Sequence, residues 1–160
     1  MKSALAKKIV REIAVRTLDV GCGSNKQKGC VGMDRRQIEG VDVVHDIEKL
    51  PWPFENESFE RIICSHILEH IKPWLINDLM DEMWRVTKSE GELMIAMPYA
   101  GSFGHWQDPT HIKCWNEATA TYYDPDRPLY KIYEPKPWKI KINSWRVDGN
   151  IEVVFEKRLL

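Results

Sequence analysis

Between residues 17 and 98 the apolar positions fall in short runs, each stopped by glycine, an acid or proline. Thr17-Leu18-Asp19-Val20 ends at Gly21-Cys22-Gly23 and reads as a buried strand closed by a glycine turn. Val31-Gly32-Met33-Asp34 predicts a second strand ending on an acid, and Val41-Asp42-Val43-Val44 a third, followed by His45-Asp46. Arg61–Ser65 predicts a fourth, and Glu92–Met97 a fifth, closed by Pro98. Pro51-Trp52-Pro53 cannot join a ladder, because the prolines lack donors and restrict their neighbours. The period changes to that of a helix over Trp74–Val86, with acids early and Arg85 and Lys88 late, as the helix dipole favours; Gly91 is the expected stop signal. Leu5, Ile9 and Ile13 predict a short amphipathic helix at the start. Near the end, Trp138–Val147 and Ile151–Glu156 flank Asp148-Gly149-Asn150, a hairpin turn signal. Trp138, Ile140 and Ile142 alternate with Lys139, Lys141 and Asn143, which predicts a half-buried strand.

Short buried strands with a helical crossover imply an α/β fold. The expected form is a Rossmann-like three-layer sandwich: a mostly parallel seven-stranded sheet with an antiparallel terminal strand. At 160 residues the chain reads as one domain, 1–160, with a first half at 17–98 and a second segment at 99–160.

Composition narrows the function classes. Twenty-three basic and 24 acidic residues leave a net charge of −1, which disfavours a globally basic nucleic-acid binder. No apolar run approaches the ~20 residues that span a bilayer, and the start carries no signal-peptide pattern. The four cysteines form no CxxC pair and read as reduced thiols, small fillers in a cytoplasmic protein. Seven tryptophans are many for this length; four lie at 106, 115, 138 and 145, within the second segment. That segment also holds Lys131, Lys136, Lys139, Lys141 and Arg146. Its rings pack a core or form a recognition surface, and its lysines are a solvated face or a nucleic-acid contact.

Ligands of open α/β sheets bind beyond the carboxyl ends of the strands. Gly21-Cys-Gly23 lies at such an end, and Asp34, at the tip of the next strand, can accept from two ribose hydroxyls. Position 26 is Lys where a dinucleotide fingerprint has its third glycine, and residues 24–30 are too few for a crossover helix. A nucleoside without a pyrophosphate fits this gap better than a dinucleotide, which disfavours the competing reading of a nucleotide-dependent oxidoreductase.

Several blocks, in order, resemble the class I S-adenosylmethionine-dependent methyltransferases, closest to their compact members. They are Leu18-Asp-Val-Gly-Cys-Gly23, Val31-Gly-Met-Asp34, His45-Asp46-Ile-Glu-Lys-Leu-Pro-Trp-Pro-Phe54, Ser58-Phe59-Glu60, Cys64-Ser-His-Ile-Leu-Glu-His70 and Met83-Trp-Arg-Val-Thr-Lys-Ser-Glu-Gly91. The resemblance covers residues 17–98 and implies S-adenosyl-L-methionine as cofactor. It puts Asp19, Gly21 and Gly23 against the methionine part, with Asp34 on the ribose. Asp46 and the Ile47 backbone face the adenine, and Ser65 and His66 form the floor under the sulfonium. The family's third alternate glycine is replaced by Asn25.

Two histidine patterns compete for chemistry. His66-Ile-Leu-Glu69-His70 spells HxxEH, a zinc-peptidase pattern, but it follows a strand directly inside a methyltransferase-like block. His105-Trp-Gln-Asp108-Pro-Thr-His111-Ile-Lys-Cys114 offers Asp108 and His111 as an acid–base pair for the acceptor's proton. The same stretch also reads as an ordered turn touching substrate, or as a metal cluster of His105, Asp108, His111 and Cys114; no metal is assigned. The expected activity is methyl transfer to a small-molecule or glycan hydroxyl by a monomer or homodimer away from membranes. A cofactor-binding module without turnover is the alternative. The lack of an Asn-Pro-Pro-Tyr block leans towards oxygen acceptors.

Overall fold

The structure is a computed structural model, and it describes residues 16–159. The helix expected over residues 1–14 lies outside the described residues. Seven strands form one sheet: β1 (Thr17–Val20), β2 (Val31–Asp34), β3 (Val43–Val44), β4 (Phe59–Ser65), β5 (Thr87–Pro98), β6 (Trp138–Trp145) and β7 (Asn150–Lys157), in the order β3-β2-β1-β4-β5-β7-β6. Strands β1 to β5 run parallel, and β7 lies antiparallel between β5 and β6. The expected mixed sheet is therefore present, with its antiparallel strand last in the chain but second from the sheet edge. All four residues of β1 are buried, so a central strand shows no alternation. Strand β7 does alternate: Ile151, Val153 and Phe155 face the core, and Lys157 takes the fourth inward position. Its Nζ donates to the Thr87 carbonyl at 2.6 Å and sits 3.9 Å from the Trp84 ring centre, which compensates a buried ammonium.

Among the described residues one helix is longer than five residues, α1 (Ile76–Val86). Its buried face is Ile76, Leu79, Met80, Met83 and Val86. It starts two residues later than the periodicity predicts, because Pro73 opens a separate 3₁₀ turn over Pro73–Leu75 that leaves Trp74 exposed. Glu82 is buried on the same helix. It accepts from the Trp52 N–H at 2.6 Å and from Arg85 Nη2 at 2.6 Å and Nε at 2.9 Å. Arg85 also donates to the Phe54 carbonyl at 2.9 Å. The ion pair thus ties the Pro51-Trp52-Pro53 turn to α1. Removing one partner of such a pair strands a buried charge, so Arg85→Ala lowers unfolding free energy by about 3 kcal/mol in urea denaturation.

Three expectations change. Gly91 does not stop the helix; β5 already begins at Thr87 and Gly91 lies inside it. Between the pairs Phe59–Thr87 and Arg61–Glu92 strand β5 carries extra residues, and a Cβ on Gly91 would come within 2.8 Å of the Glu60 carbonyl. Glycine here serves a bulge, not a cap. Strand β3 is shorter than its apolar run, because the Asp42 carboxylate bonds the Gly32 N–H at 2.8 Å and Lys26 at 2.7 Å. In β6 the alternation fails after Ile140. One extra residue, Lys141, faces β7 between the pairs Ile140–Phe155 and Ile142–Val154, and the bulge turns Ile142 outward.

The tryptophans divide. Trp115 and Trp138 are fully buried core residues, while Trp106 and Trp145 are exposed. Lys141 and Arg146 pair with Glu156 and Glu152 in exposed ion pairs.

Candidate active site

The parallel arrangement brings the carboxyl ends of β1, β2, β3, β4 and β5 to one sheet edge, and those ends together with the segments leaving them carry every candidate residue. The glycine loop leaves β1 in left-handed backbone conformation, with φ of +66° at Gly21 and +54° at Gly23. A Cβ on Gly21 would fall 2.1 Å from Ile67 Cδ1, so only glycine fits there. The Gly21 and Cys22 N–H groups both donate to the Met33 carbonyl, which folds the loop over β2.

Asp34 anchors that loop. Its Oδ2 accepts from the Gly23 N–H at 2.9 Å, and its Oδ1 accepts from the Arg36 N–H at 2.9 Å and Nε at 3.0 Å. Burial pushes its carboxyl up, but the hydrogen bonds from Arg36 and Gly23 outweigh burial and hold it below the usual carboxylate range. The group is therefore held as an anion, and its one exposed side-chain partner is Arg36, 59% exposed. Asp19 is buried one strand away. Its Oδ2 accepts from the Gln27 N–H at 2.8 Å, and burial raises its carboxyl above the ordinary value. Asp19 thus braces the helix-free return to β2.

Asp46 and Ile47 follow β3 and are half-buried. The Asp46 side chain accepts from the Glu48 N–H at 3.1 Å, and the Ile47 carbonyl accepts from Trp52 Nε1 at 3.0 Å. Ser65 and His66 leave β4, both exposed. His66 holds a left-handed φ of +55°, a conformation that side chains rarely adopt and that tends to persist at functional positions. Its Nδ1 lies 3.3 Å from Glu69 Oε1, and that carboxylate raises the His66 pKa.

The segment after β5 returns to the same place. His111 Nδ1 contacts the His105 carbonyl at 2.9 Å, and His111 Nε2 lies 3.7 Å from Asp108 Oδ2. Thr110 donates its hydroxyl to Asp108 Oδ1 at 2.7 Å, and His70 Nδ1 contacts that hydroxyl at 2.9 Å. The His70 and His111 rings meet edge to face, 4.7 Å apart. The structure therefore joins the two histidine patterns that the sequence keeps 40 residues apart. Of the alternative metal set of His105, Asp108, His111 and Cys114, only His111 lies in a cluster with metal-ligand spacing, and its companions there are Glu69 and His70. Sequence reasoning met Glu69 and His70 only as part of a zinc-peptidase spelling that its context disfavours, and it gave Thr110 no role of its own. Cys22 and Cys64 are buried, and burial raises both thiols, so they act as inert fillers.

Comparison with known proteins fits this geometry. Residues 18–95 match the profile of a family described as methyltransferase domain. The fold superposes on an S-adenosylmethionine-dependent methyltransferase from Archaeoglobus fulgidus at a TM-score of 0.67, with 18% identity, covering 96% of this chain and 93% of that one. An S-adenosylmethionine-dependent methyltransferase from Aquifex aeolicus gives 0.58 at 15% identity, covering 94% and 88%. The 1,6-didemethyltoxoflavin-N1-methyltransferase of Burkholderia thailandensis, solved with S-adenosylhomocysteine, gives 0.63 at 10% identity, covering 93% and 73%. Among curated proteins no sequence matches the chain. With the glycine loop, the acid ending β2 and this strand order, the chain has the fold of the class I S-adenosylmethionine-dependent methyltransferases, and its residues 18–95 match their methyltransferase domain. S-adenosylmethionine is the cofactor of that class.

Proposed function

We propose that the chain methylates a hydroxyl of a small molecule or glycan. The observation that carries the reading is Asp34: a buried carboxylate, held as an anion at the tip of β2 and bonded to the glycine loop. When bound, S-adenosylmethionine supplies an electrophilic methyl group on a sulfonium. The chain's own residues do the rest. Asp34 accepts from the two ribose hydroxyls once Arg36 swings aside, and its fixed charge makes those hydrogen bonds strong. Asp19, Gly21 and Gly23 border the methionine portion, where left-handed glycines keep the backbone free of side chains. Asp46 and the Ile47 backbone meet the adenine edge, and Ser65 and His66 line the floor near the sulfonium. On the acceptor side, His111 and Asp108 ease the departure of the acceptor's proton.

The four free cysteines fit a reducing compartment, and we place the protein in the cytoplasm. No helix among the described residues is long and apolar enough to cross a membrane. A panel of hydroxylated metabolites and oligosaccharides, scored by release of S-adenosylhomocysteine, tests the reading. Release that depends on a hydroxyl acceptor is expected. Tight S-adenosylhomocysteine binding with no release across the panel would favour a cofactor-binding module without turnover.

A further inference from the structure

We infer that Glu69, His70 and His111 form a binding site for one divalent transition-metal ion of the zinc class. The starting observation is Glu69. Its side chain is wholly buried, and neither carboxylate oxygen has a hydrogen-bond donor among the described residues. Buried carboxylates are almost always satisfied, so one without a donor calls for a ligand. Three of the chain's five histidines, His66, His70 and His111, lie close to it. His66 Nδ1 comes to 3.3 Å of Oε1 without hydrogen-bond alignment. One ligand atom from each of Glu69, His70 and His111 lies within 4.8 Å of the other two.

The hydrogen bonds also fix the tautomers that a metal needs. The Asp108 carboxylate can only accept, so the Thr110 hydroxyl gives it its single proton. Thr110 must then accept from His70, which puts the His70 proton on Nδ1 and leaves the Nε2 lone pair free. The His105 carbonyl can likewise only accept, so His111 also carries its proton on Nδ1; its Nε2, 3.7 Å from Asp108 Oδ2, makes no hydrogen bond and keeps its lone pair. Donation of the other ring N–H to a carbonyl or a carboxylate-linked group is the usual support of metal-bound histidine. Asp108 and Thr110 are positioning residues in this scheme, acting through His70.

Two imidazoles and a carboxylate suit zinc and its neighbours; calcium and magnesium prefer oxygen alone. Ligand atoms around tetrahedral zinc stand roughly 3.4 Å apart, so the three side chains need close only by roughly 1.4 Å or less. Three protein ligands leave a fourth position for water or an acceptor hydroxyl. An oxygen bound there can lose its proton to bulk water near neutral pH. With Nδ1 on the His105 carbonyl and Nε2 on the ion, His111 would act on the acceptor's proton only through the ion, which replaces direct proton transfer to its ring and does not depend on methyl transfer.

The full chain, stripped with a chelator and titrated with zinc chloride in a calorimeter without cofactor, tests the site. One ion per chain is expected, with affinity at least 30-fold weaker in His70→Ala and in His111→Ala. Thr110→Val should weaken it about 10-fold, as loss of an outer partner does. His70 is exposed, so its variant keeps the test open if Glu69→Gln fails to fold. No stoichiometric binding to the wild type would overturn the site. Binding unchanged in both histidine variants would also overturn it, because the ion would then sit elsewhere. S-adenosylhomocysteine titrated into the same stripped protein reports on the methyltransferase reading separately.

Discussion

Asp34→Ala weakens S-adenosylhomocysteine binding about 100-fold in calorimetry. Each hydrogen bond to a charged carboxylate contributes about 1.5–3 kcal/mol, and two ribose hydroxyls depend on this one group, so about 3 kcal/mol is lost. At about 1.4 kcal/mol per decade that is two decades in affinity. The substitution also frees the Gly23 N–H, so the melting temperature must be followed in parallel. A lost affinity in a protein that still melts cooperatively assigns the effect to the site. Unchanged affinity would remove Asp34 from the cofactor site. The acid limb has a definite sign. Because the folded state holds the Asp34 carboxyl below its ordinary value, its contribution to stability is fully present above the unfolded pKa. It is lost only as pH falls through the lower, folded value. Acid loss tied to Asp34 should therefore appear below the ordinary carboxylate range, and Asp34→Asn should abolish that limb of the melting-temperature profile.

The second large effect is expected at His111. His111→Ala lowers turnover by 100- to 1,000-fold, the range for loss of a positioned proton-handling group, while S-adenosylhomocysteine affinity stays within about twofold. The separation follows from its contacts. His111 touches His105, Asp108 and His70, and none of its bonds reaches the glycine loop or Asp34. Turnover is read as S-adenosylhomocysteine release with whichever acceptor the panel identifies. Unchanged turnover would remove His111 from the acceptor chemistry.

Much of the fold was legible because its signals are local. Gly21 and Gly23 end a buried strand, Asp34 ends the next, and residues 24–30 are too few for a helix. Gly149, at φ +88°, makes the predicted hairpin turn between β6 and β7. What could not be read depends on partners far along the chain. Gly91 resembles a helix stop until β4 is seen passing beside it, and Lys141 resembles an ordinary strand residue until β7 imposes a bulge. The histidine patterns show the limit most clearly. His66-Ile-Leu-Glu69-His70 looks like a zinc spelling in an unsuitable place, and Asp108-Pro-Thr-His111 looks like a turn with a possible base. Only the packing of the segment after β5 onto the exit of β4 brings His111 to His70 and seals Glu69 between them, and no spacing rule within either stretch encodes that meeting.

The central claim is that the glycine loop and Asp34 hold an S-adenosyl nucleoside. Paired titrations of the full wild-type chain, one with S-adenosylhomocysteine and one with NAD, test it most directly. Saturable one-to-one binding of S-adenosylhomocysteine, with no binding of NAD, is the predicted result. Binding of NAD with none of S-adenosylhomocysteine would contradict it and return the chain to the dinucleotide reading.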